Sequence, residues 1–161
     1  MTDQPPWAQM ILDFMENTPL RDSYLISLWA NAHSAPAVRS IEKEFDTGRD
    51  EFNVMFTLAA RGPSLASDIC ILNSRPKNSI SRAVNRLHKR GLLQREPLKN
   101  DLRKEMLSLT EAGQQMYENT LPAFLERQRE LLAPLEYEER RMLESLMKKA
   151  LLGGYDWRRD F

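Results

Sequence analysis

The chain has 161 residues, 42% of them hydrophobic and 29% charged, and its formal net charge is zero. This length and composition are typical of one globular domain and argue against a disordered or fibrous protein. No apolar run approaches the roughly 20 residues of a membrane span, and the N-terminus lacks the basic-then-apolar pattern of a signal peptide. We therefore expect a cytoplasmic protein that does not bind membranes.

The N-terminal half is predicted to form helices separated by proline and glycine. Residues 7–15 form a short apolar cluster, and residues 21–45 carry apolar side chains at mostly three- and four-residue steps, which is typical of an amphipathic helix. Pro36 is expected to break or kink that long helix. A further helix precedes Gly62, and Ser64 is placed to cap the next one.

The segment "RPKNSISRAVNRLHKR" at residues 75–90 combines cations with a helical apolar stripe. Its apolar residues fall at i, i+3, i+4 and i+7, and we predict that they are core: Ile80, Ala83, Val84 and Leu87. Pro76 suits a first helical position. Arg pairs with guanine, Asn with adenine, and Ser or Lys with phosphate, so the other side has the chemistry of a DNA-reading face. The predicted DNA-binding residues of this helix are Lys77, Asn78, Ser79, Ser81, Arg82, Asn85, Arg86 and Lys89.

The neutral total charge conceals an uneven distribution. Residues 75–104 contain ten Arg and Lys against two acids, a net charge of +8, so the remainder of the chain carries −8. Most charge runs are only solvated helix faces. Here no local acids match the cations, which favours a face that meets phosphates.

After Gly91 the pattern changes to two short strands, residues 92–98 and 105–110, around the polar turn "KNDLRK". That turn would leave Arg103 and Lys104 projecting. Three helices, a basic helix and a basic hairpin come in the order of a winged helix-turn-helix. The predicted fold is therefore mainly α with a small β-hairpin wing.

Residues 65–113 resemble the core of the MarR family of bacterial transcription regulators. The resemblance is carried by "SRAVNRLHKRGLL", then "DLR" and "LSLTEAG", at the family's spacing. It implies a homodimer in which N-terminal helices (1–46) and C-terminal helices and tail (111–161) flank a winged domain (47–110). It also implies a repressor of an inverted-repeat operator on double-stranded DNA, whose binding is relieved by a small molecule. Arg103 would reach the minor groove or its phosphates, and Asp101 would pair with a neighbouring arginine to hold the wing's shape.

The C-terminal region predicts two amphipathic helices, the first capped by Thr110 and kinked at Pro122, the second ending at Gly153. Their apolar faces could equally pack on their own domain. The resemblance favours a dimer interface shared with the first helices.

The same resemblance implies an effector pocket between the long N-terminal helix, the next helix and the winged domain. Five residues are candidates for a mostly apolar cavity that would take a small aromatic or amphipathic ligand: Trp29, His33, Phe52, Met55 and Phe56. An ordinary core with a histidine at its edge explains the same residues equally well.

Catalytic and metal chemistry have little support. His33 and His88 are far apart, and the chain has no nucleophile motif, phosphate loop or paired-cysteine site, so we predict neither an enzyme nor a bound metal or cofactor. Cys70 is expected to be a buried small hydrophobe rather than a peroxide sensor. Two other functions stay open: a sensor module that acts through protein contacts, and a nonspecific architectural DNA binder.

Overall fold

The computed structural model describes residues 5–98 and 100–153, with the backbone alone at residues 102 and 103. The elements in chain order are α1 (Pro6–Glu16), α2 (Arg21–Phe45), α3 (Arg49–Arg61), β1 (Ser64–Leu65), α4 (Ala66–Asn73), α5 (Lys77–Lys89), β2 (Leu93–Leu98), β3 (Asp101–Leu109), α6 (Glu111–Leu132) and α7 (Tyr137–Leu152). The fold is mainly helical with one small antiparallel sheet, as predicted. No helix in the described part of the chain is long and apolar enough to cross a bilayer.

Helices α3, α4 and α5 pack with the sheet around one hydrophobic core. The predicted stripe of α5 is buried in this core, with Ile80 and Leu87 fully inaccessible. Met55 and Ile69 enter the same core from α3 and α4. Burying a side chain of this size contributes roughly 1.5–3 kcal/mol, so the stripe fixes which face of α5 remains outside.

The sheet has three strands, in the order β1-β3-β2. β3 begins at Asp101, earlier than predicted, because Leu98 pairs with Asp101 after an irregularity at Pro97. Asp101, Arg103 and Lys104 therefore lie in a strand and not in the turn. Proline has no backbone N–H to donate. Pro97 is tolerated because β2 is an edge strand, which hydrogen-bonds to a neighbouring strand on one side only.

The first strand was not predicted. Ser64 pairs with Leu107 in the sheet, and its hydroxyl donates to the Gly62 carbonyl oxygen at 3.0 Å. The expected cap of α4 was therefore wrong: Leu65 occupies the N-cap position and makes no side-chain cap bond.

Helices α2 and α6 continue through Pro36 and Pro122. The expected break in α2 is absent, and three of the residues that follow Pro36 are buried: Ala37, Val38 and Ile41. They form a second core with one aromatic residue each from α3 and α6, consisting of Ala37, Val38, Ile41, Phe52 and Phe124. We attribute the continuity to this packing, which offsets the roughly 3 kcal/mol that an internal proline costs.

Thr110 joins α6 to the wing, as its predicted capping role requires. Its hydroxyl oxygen accepts from the Gly113 N–H at 3.0 Å and donates to the Gly91 carbonyl oxygen at 2.8 Å. A methyl group on Gly113 would lie 1.9 Å from the Leu92 carbonyl oxygen, so only glycine allows this close approach. The "LTEAG" segment thus sets how α6 leaves the winged domain.

Candidate nucleic-acid interface

The outer face of α5 carries the predicted DNA-binding side chains. Ser79 is half-buried and the other seven are exposed, because the buried stripe occupies the opposite side of the helix. The helix starts after Ser74, whose backbone is left-handed (φ 49°), and after the extended Pro76, which is the N-cap and not the first helical residue. This short link separates α4 from α5 and completes a helix-turn-helix.

Two arginines near the end of α5 are held by the turn between α2 and α3. Arg86 pairs with Asp46 (Nη2 to Oδ1, 2.7 Å) and with Glu51 (Nε to Oε1, 3.3 Å). Arg90 donates to the Phe45 and Asp46 carbonyl oxygens at 3.0 and 2.9 Å and lies 3.4 Å from Glu51 Oε1. Arg86 was predicted to face DNA, but its guanidinium already binds the protein.

Glu51 is the centre of this cluster, which we call the Glu51 cluster. The residue is 4% exposed, and the second oxygen of its carboxylate accepts the Gly48 N–H at 2.8 Å. The hydrogen bond from Arg86, together with its charge, lowers the pKa of Asp46, and the same bond raises the pKa of Arg86. Both partners of that pair are therefore ionised at neutral pH.

Arg75 is also engaged. It donates two hydrogen bonds to Asp50 of α3, from Nε to Oδ1 at 2.6 Å and from Nη2 to Oδ2 at 3.1 Å. The hydrogen bond to Asp50 raises the pKa of Arg75. This pair ties the link before α5 to α3.

Three cations of α5 are not neutralised in this way. Among the described residues, Lys77, Arg82 and Lys89 have no acidic partner within ion-pair distance, and all three are exposed. They are therefore the charges of this helix that are available to phosphates or bases.

The wing lies beside α5 and is joined to it by one side chain that the sequence reading did not select. Arg95 of β2 donates from Nη2 to Asn85 Oδ1 at 2.6 Å, and its Nη1 lies 3.3 Å from Glu105 Oε2. The signal was the two-residue alternation of β2, since Arg95 shares a strand face with the buried Leu93. An arginine on the inward face of a strand is a candidate for a specific role.

The tip of the wing is described only in part. Lys104 is exposed and its Nζ lies 3.8 Å from Asp101 Oδ2. The role predicted for the Arg103 side chain falls outside the described residues. Lys104 is therefore a cationic neighbour of Asp101 on the same strand.

A cavity of about 520 Å³ lies between α2, α3, α6 and the link before α5. Of the five predicted effector residues, Trp29 and His33 line it. The other three do not: Met55 is buried in the winged-domain core, Phe52 stacks on Phe124 at 3.8 Å between ring centres, and Phe56 stacks on Phe52 on the exposed side. The cavity is more polar than predicted, because it also contains the following side chains: Arg49, Asn53, Asn73, Arg75 and Gln128.

Arg49 is the second functional candidate that sequence reasoning missed. Its Nη2 donates to the Ser34 hydroxyl at 3.1 Å, and none of the described acids lies within ion-pair distance of it. A half-buried guanidinium that donates to a neutral hydroxyl in the described structure can bind an anion.

Cys70 is buried, and this burial raises the pKa of its thiol. A shielded and protonated thiol is a poor nucleophile, which agrees with the expected structural role. The described residues contain no cluster of three or more His, Cys, Asp or Glu side chains that could hold a metal.

A helix-turn-helix followed by a two-stranded wing places the molecule in the winged helix-turn-helix class. The model of the MarR family matches residues 45–104. The transcriptional regulator PecS of Dickeya dadantii is 27% identical over 114 residues, 69% of each chain. An HTH-type transcriptional regulator of Bacillus cereus is 32% identical over 108 residues, 66% of this chain and 71% of that one. The chain belongs to the MarR family of transcription regulators and is not an enzyme.

Solved structures share the fold. A cysteine-to-serine mutant of E. coli MarR complexed with operator DNA superposes with a TM-score of 0.71 at 24% identity, covering 86% of this chain and 97% of that chain. BpsR of Bordetella bronchiseptica, whose DNA binding is regulated by 6-hydroxynicotinic acid, also gives 0.71, at 20% identity, and covers 81% of this chain and 98% of that chain.

The Glu51 cluster leads to a prediction about stability. Glu51→Gln keeps the side-chain shape but removes the charge that Arg86 and Arg90 share. Breaking a fully buried ion pair costs about 3–5 kcal/mol, and the partial exposure of both arginines reduces this, so we expect the free energy of unfolding to fall by about 2 kcal/mol. Urea unfolding measures it. Glu42→Gln, at an exposed position on α2, should change it by less than about 0.5 kcal/mol, and equal effects would contradict the role of Glu51.

Proposed function

We propose that the protein is a homodimeric repressor that binds an inverted-repeat operator and is released by a small organic anion. The observation that carries the proposal is α5: one side is buried in the core, and the other presents free cations and amides beside a basic wing. Two copies related by a twofold axis would insert their α5 helices into successive major grooves, about 34 Å apart. The E. coli MarR mutant in complex with operator DNA supports this proposal, because it is a chain of this fold that binds an operator.

In this proposal the exposed side chains of α5 divide into two groups. Arg82 and Asn85 lie in the middle of the exposed face and would meet base edges, whereas Lys77, Lys89 and Lys104 would bind phosphates. Phosphate contacts release counterions, so they strengthen binding to any DNA and weaken with salt. Base contacts set the specificity ratio, which is the affinity for the operator divided by the affinity for random DNA.

The test of DNA recognition compares Arg82→Ala with Arg129→Ala, which removes the same charge from an exposed position on α6. Titrations would use the DNA upstream of the protein's own coding sequence and random DNA, at several salt concentrations. Arg82→Ala should cost roughly 1–3 kcal/mol on the specific site and lower the specificity ratio, because a bidentate base contact is lost. Arg129→Ala should leave the ratio unchanged.

Other outcomes of these titrations would overturn the proposal. Equal affinity of the wild type for both DNAs would indicate an architectural binder. No measurable binding to any fragment at low salt would favour a module that acts through protein contacts.

The argument for a homodimer rests on apolar surface that the chain does not cover itself. None of the residues of α1 or α7, all of which are described, is buried. Large apolar side chains are exposed on both helices and at the start of α2, among them Trp7, Met10, Phe14, Ile26, Met142, Leu146 and Leu151. Exposed apolar surface on this scale marks an interaction site.

An open groove of about 730 Å³ lies within this surface, between α2, α6 and α7. Trp29 and Leu132 form one wall, and Leu143, Met147 and Leu151 form the other. We assign the groove and the exposed faces of α1 and α7 to a second copy of the chain, since both ends of the chain present apolar helices and a twofold axis would bury both sets at once.

The dimer is tested by two neighbouring substitutions on α7. Leu146→Glu adds a charge to the apolar face, and Ser145→Glu adds the same charge at the adjacent position, which lies off the apolar stripe. Sedimentation at micromolar concentration should give a monomer for Leu146→Glu, with weaker operator binding, and a dimer for Ser145→Glu and the wild type. A monomeric wild type would rule the proposal out.

The effector proposal rests on the 520 Å³ cavity, whose volume suits a small molecule. Trp29 and Phe124 offer ring surfaces, and Arg49 offers a guanidinium with no acidic partner in the described structure. These groups suit a ring that carries a carboxylate. The fact that BpsR responds to 6-hydroxynicotinic acid supports this chemistry, because that compound is a ring carboxylic acid.

A panel of aromatic carboxylates, each paired with its neutral amide, tests the effector site. The carboxylates should raise the melting temperature and lower operator affinity, and the amides should do neither. Arg49→Met should weaken carboxylate binding at least about tenfold, since a charge-assisted bond is lost. Arg61→Met on the same helix, outside the cavity lining, is the control. A panel that leaves the wild-type melting temperature unchanged would refute the proposed ligand class.

A further inference from the structure

The hydrogen bond between Arg95 and Asn85 joins the wing to the proposed base-reading face. The Arg95 guanidinium donates from Nη2 to Asn85 Oδ1 at 2.6 Å, while its Nη1 lies 3.3 Å from Glu105 Oε2. Asn85 is exposed in the middle of α5, so its amide would be among the first groups to meet a base.

The chemistry of the two side chains fixes how the amide is turned. A guanidinium has five N–H donors and no acceptor, so only the oxygen of the Asn85 amide can face Arg95. The orientation of this amide therefore follows from its partner, although an amide without such a partner could be turned either way. The NH₂ group of Asn85 points away from Arg95, and it remains available to DNA.

Arg95 is held firmly in this position. It lies opposite Leu107 in the sheet, and Glu105, two residues from Leu107, lies on the same strand face. Its side chain is only 22% exposed, and its Nε is buried without a hydrogen-bond partner in the described structure. A buried Nε without a hydrogen bond destabilises the folded protein. The bonds from the same guanidinium to Asn85 and Glu105 offset this cost.

The state of the amide changes what Asn85 can recognise. An unconstrained asparagine reads adenine with both groups, accepting from N6 and donating to N7 in the major groove. With its oxygen turned to Arg95, Asn85 offers a donor. A donor binds guanine, which presents two acceptors (O6 and N7), more favourably than adenine. Cytosine, which presents only an N4 donor, is disfavoured.

We propose that Arg95 is a positioning residue that makes Asn85 a hydrogen-bond donor, so that the base pair facing Asn85 is selected as guanine over adenine. The inference rests on the proposed function, since it requires α5 to read bases. It differs from the simpler expectation that this asparagine reads adenine.

The experiment selects bound sequences from an operator library randomised at each position of one half-site. Four proteins are compared: the wild type, Arg95→Met, Asn85→Ala and the double variant. Asn85→Ala identifies the position that Asn85 reads. At that position, Arg95→Met should shift the preference from guanine toward adenine by about fivefold or more, because the freed oxygen completes the adenine pair. In the Asn85→Ala background the same substitution should produce no shift.

A charge control separates positioning from simple loss of a cation. Lys104→Met removes one positive charge from the same wing, next to Glu105 in sequence. It should weaken binding to all sequences and leave the preference at the Asn85 position unchanged. An equal shift in Lys104→Met would overturn the inference.

The failure of the inference differs from the failure of the proposed function. If Asn85→Ala relaxes one position and folded Arg95→Met leaves it unchanged, the inference is wrong and base reading by α5 stands. If neither variant alters any base preference, Asn85 does not contact a base. The inference and the proposed role of Asn85 in base recognition are then both wrong.

A measurement on the wild type needs no variant of Arg95. Operators with adenine or unsubstituted purine at the Asn85 position differ only by the N6 amino group, which a donor does not use. Equal affinity supports the inference, and tighter binding to adenine by about fivefold or more overturns it.

Discussion

The buried carboxylate of Glu51 holds α5 in place against the rest of the molecule. One of its oxygens accepts the Gly48 N–H and fixes the start of α3, and the other faces the guanidinium groups of Arg86 and Arg90. Hydrophobic burial decides which side of α5 faces inward, but burial is not directional. The Glu51 cluster adds direction, because its hydrogen bonds require a defined geometry. They therefore set the position of the end of α5 relative to the α2–α3 turn.

This arrangement also changes the meaning of the basic segment. Its sequence suggests ten equivalent cations, yet Asp46, Asp50 and Glu51, which precede it in the chain, neutralise Arg75, Arg86 and Arg90 after folding. Among the described residues of α5, Lys77, Arg82 and Lys89 remain without an acidic partner, and all three lie on the exposed side of the helix. Paired arginines stiffen the scaffold, and the free cations give the surface its attraction for anions.

The cavity reaches the link that precedes α5. Arg75 lines the cavity, binds Asp50 on α3, and lies two residues before the first residue of α5. Asp50 in turn precedes Glu51. An anion in the cavity would therefore lie beside the Arg75–Asp50 pair, and Asp50 is the sequence neighbour of Glu51, whose partners Arg86 and Arg90 lie at the end of α5.

The sequence by itself determined the features that depend on local periodicity and end signals. The buried stripe of α5, the order of helices and wing, and the cap at Thr110 follow from side chains a few residues apart, and each was predicted. The family motif pointed to the same fold. What periodicity cannot supply is the partner across space: strand β1, the early start of β3 and the aromatic stack of Phe52 on Phe124 depend on residues distant in the chain. The same holds for the interface, where only the tertiary structure decided which cations are paired and which way the Asn85 amide is turned. Ion pairs and hydrogen bonds act over a few ångströms between groups up to 45 residues apart, as between Arg90 and the Phe45 carbonyl oxygen, so no local pattern encodes them.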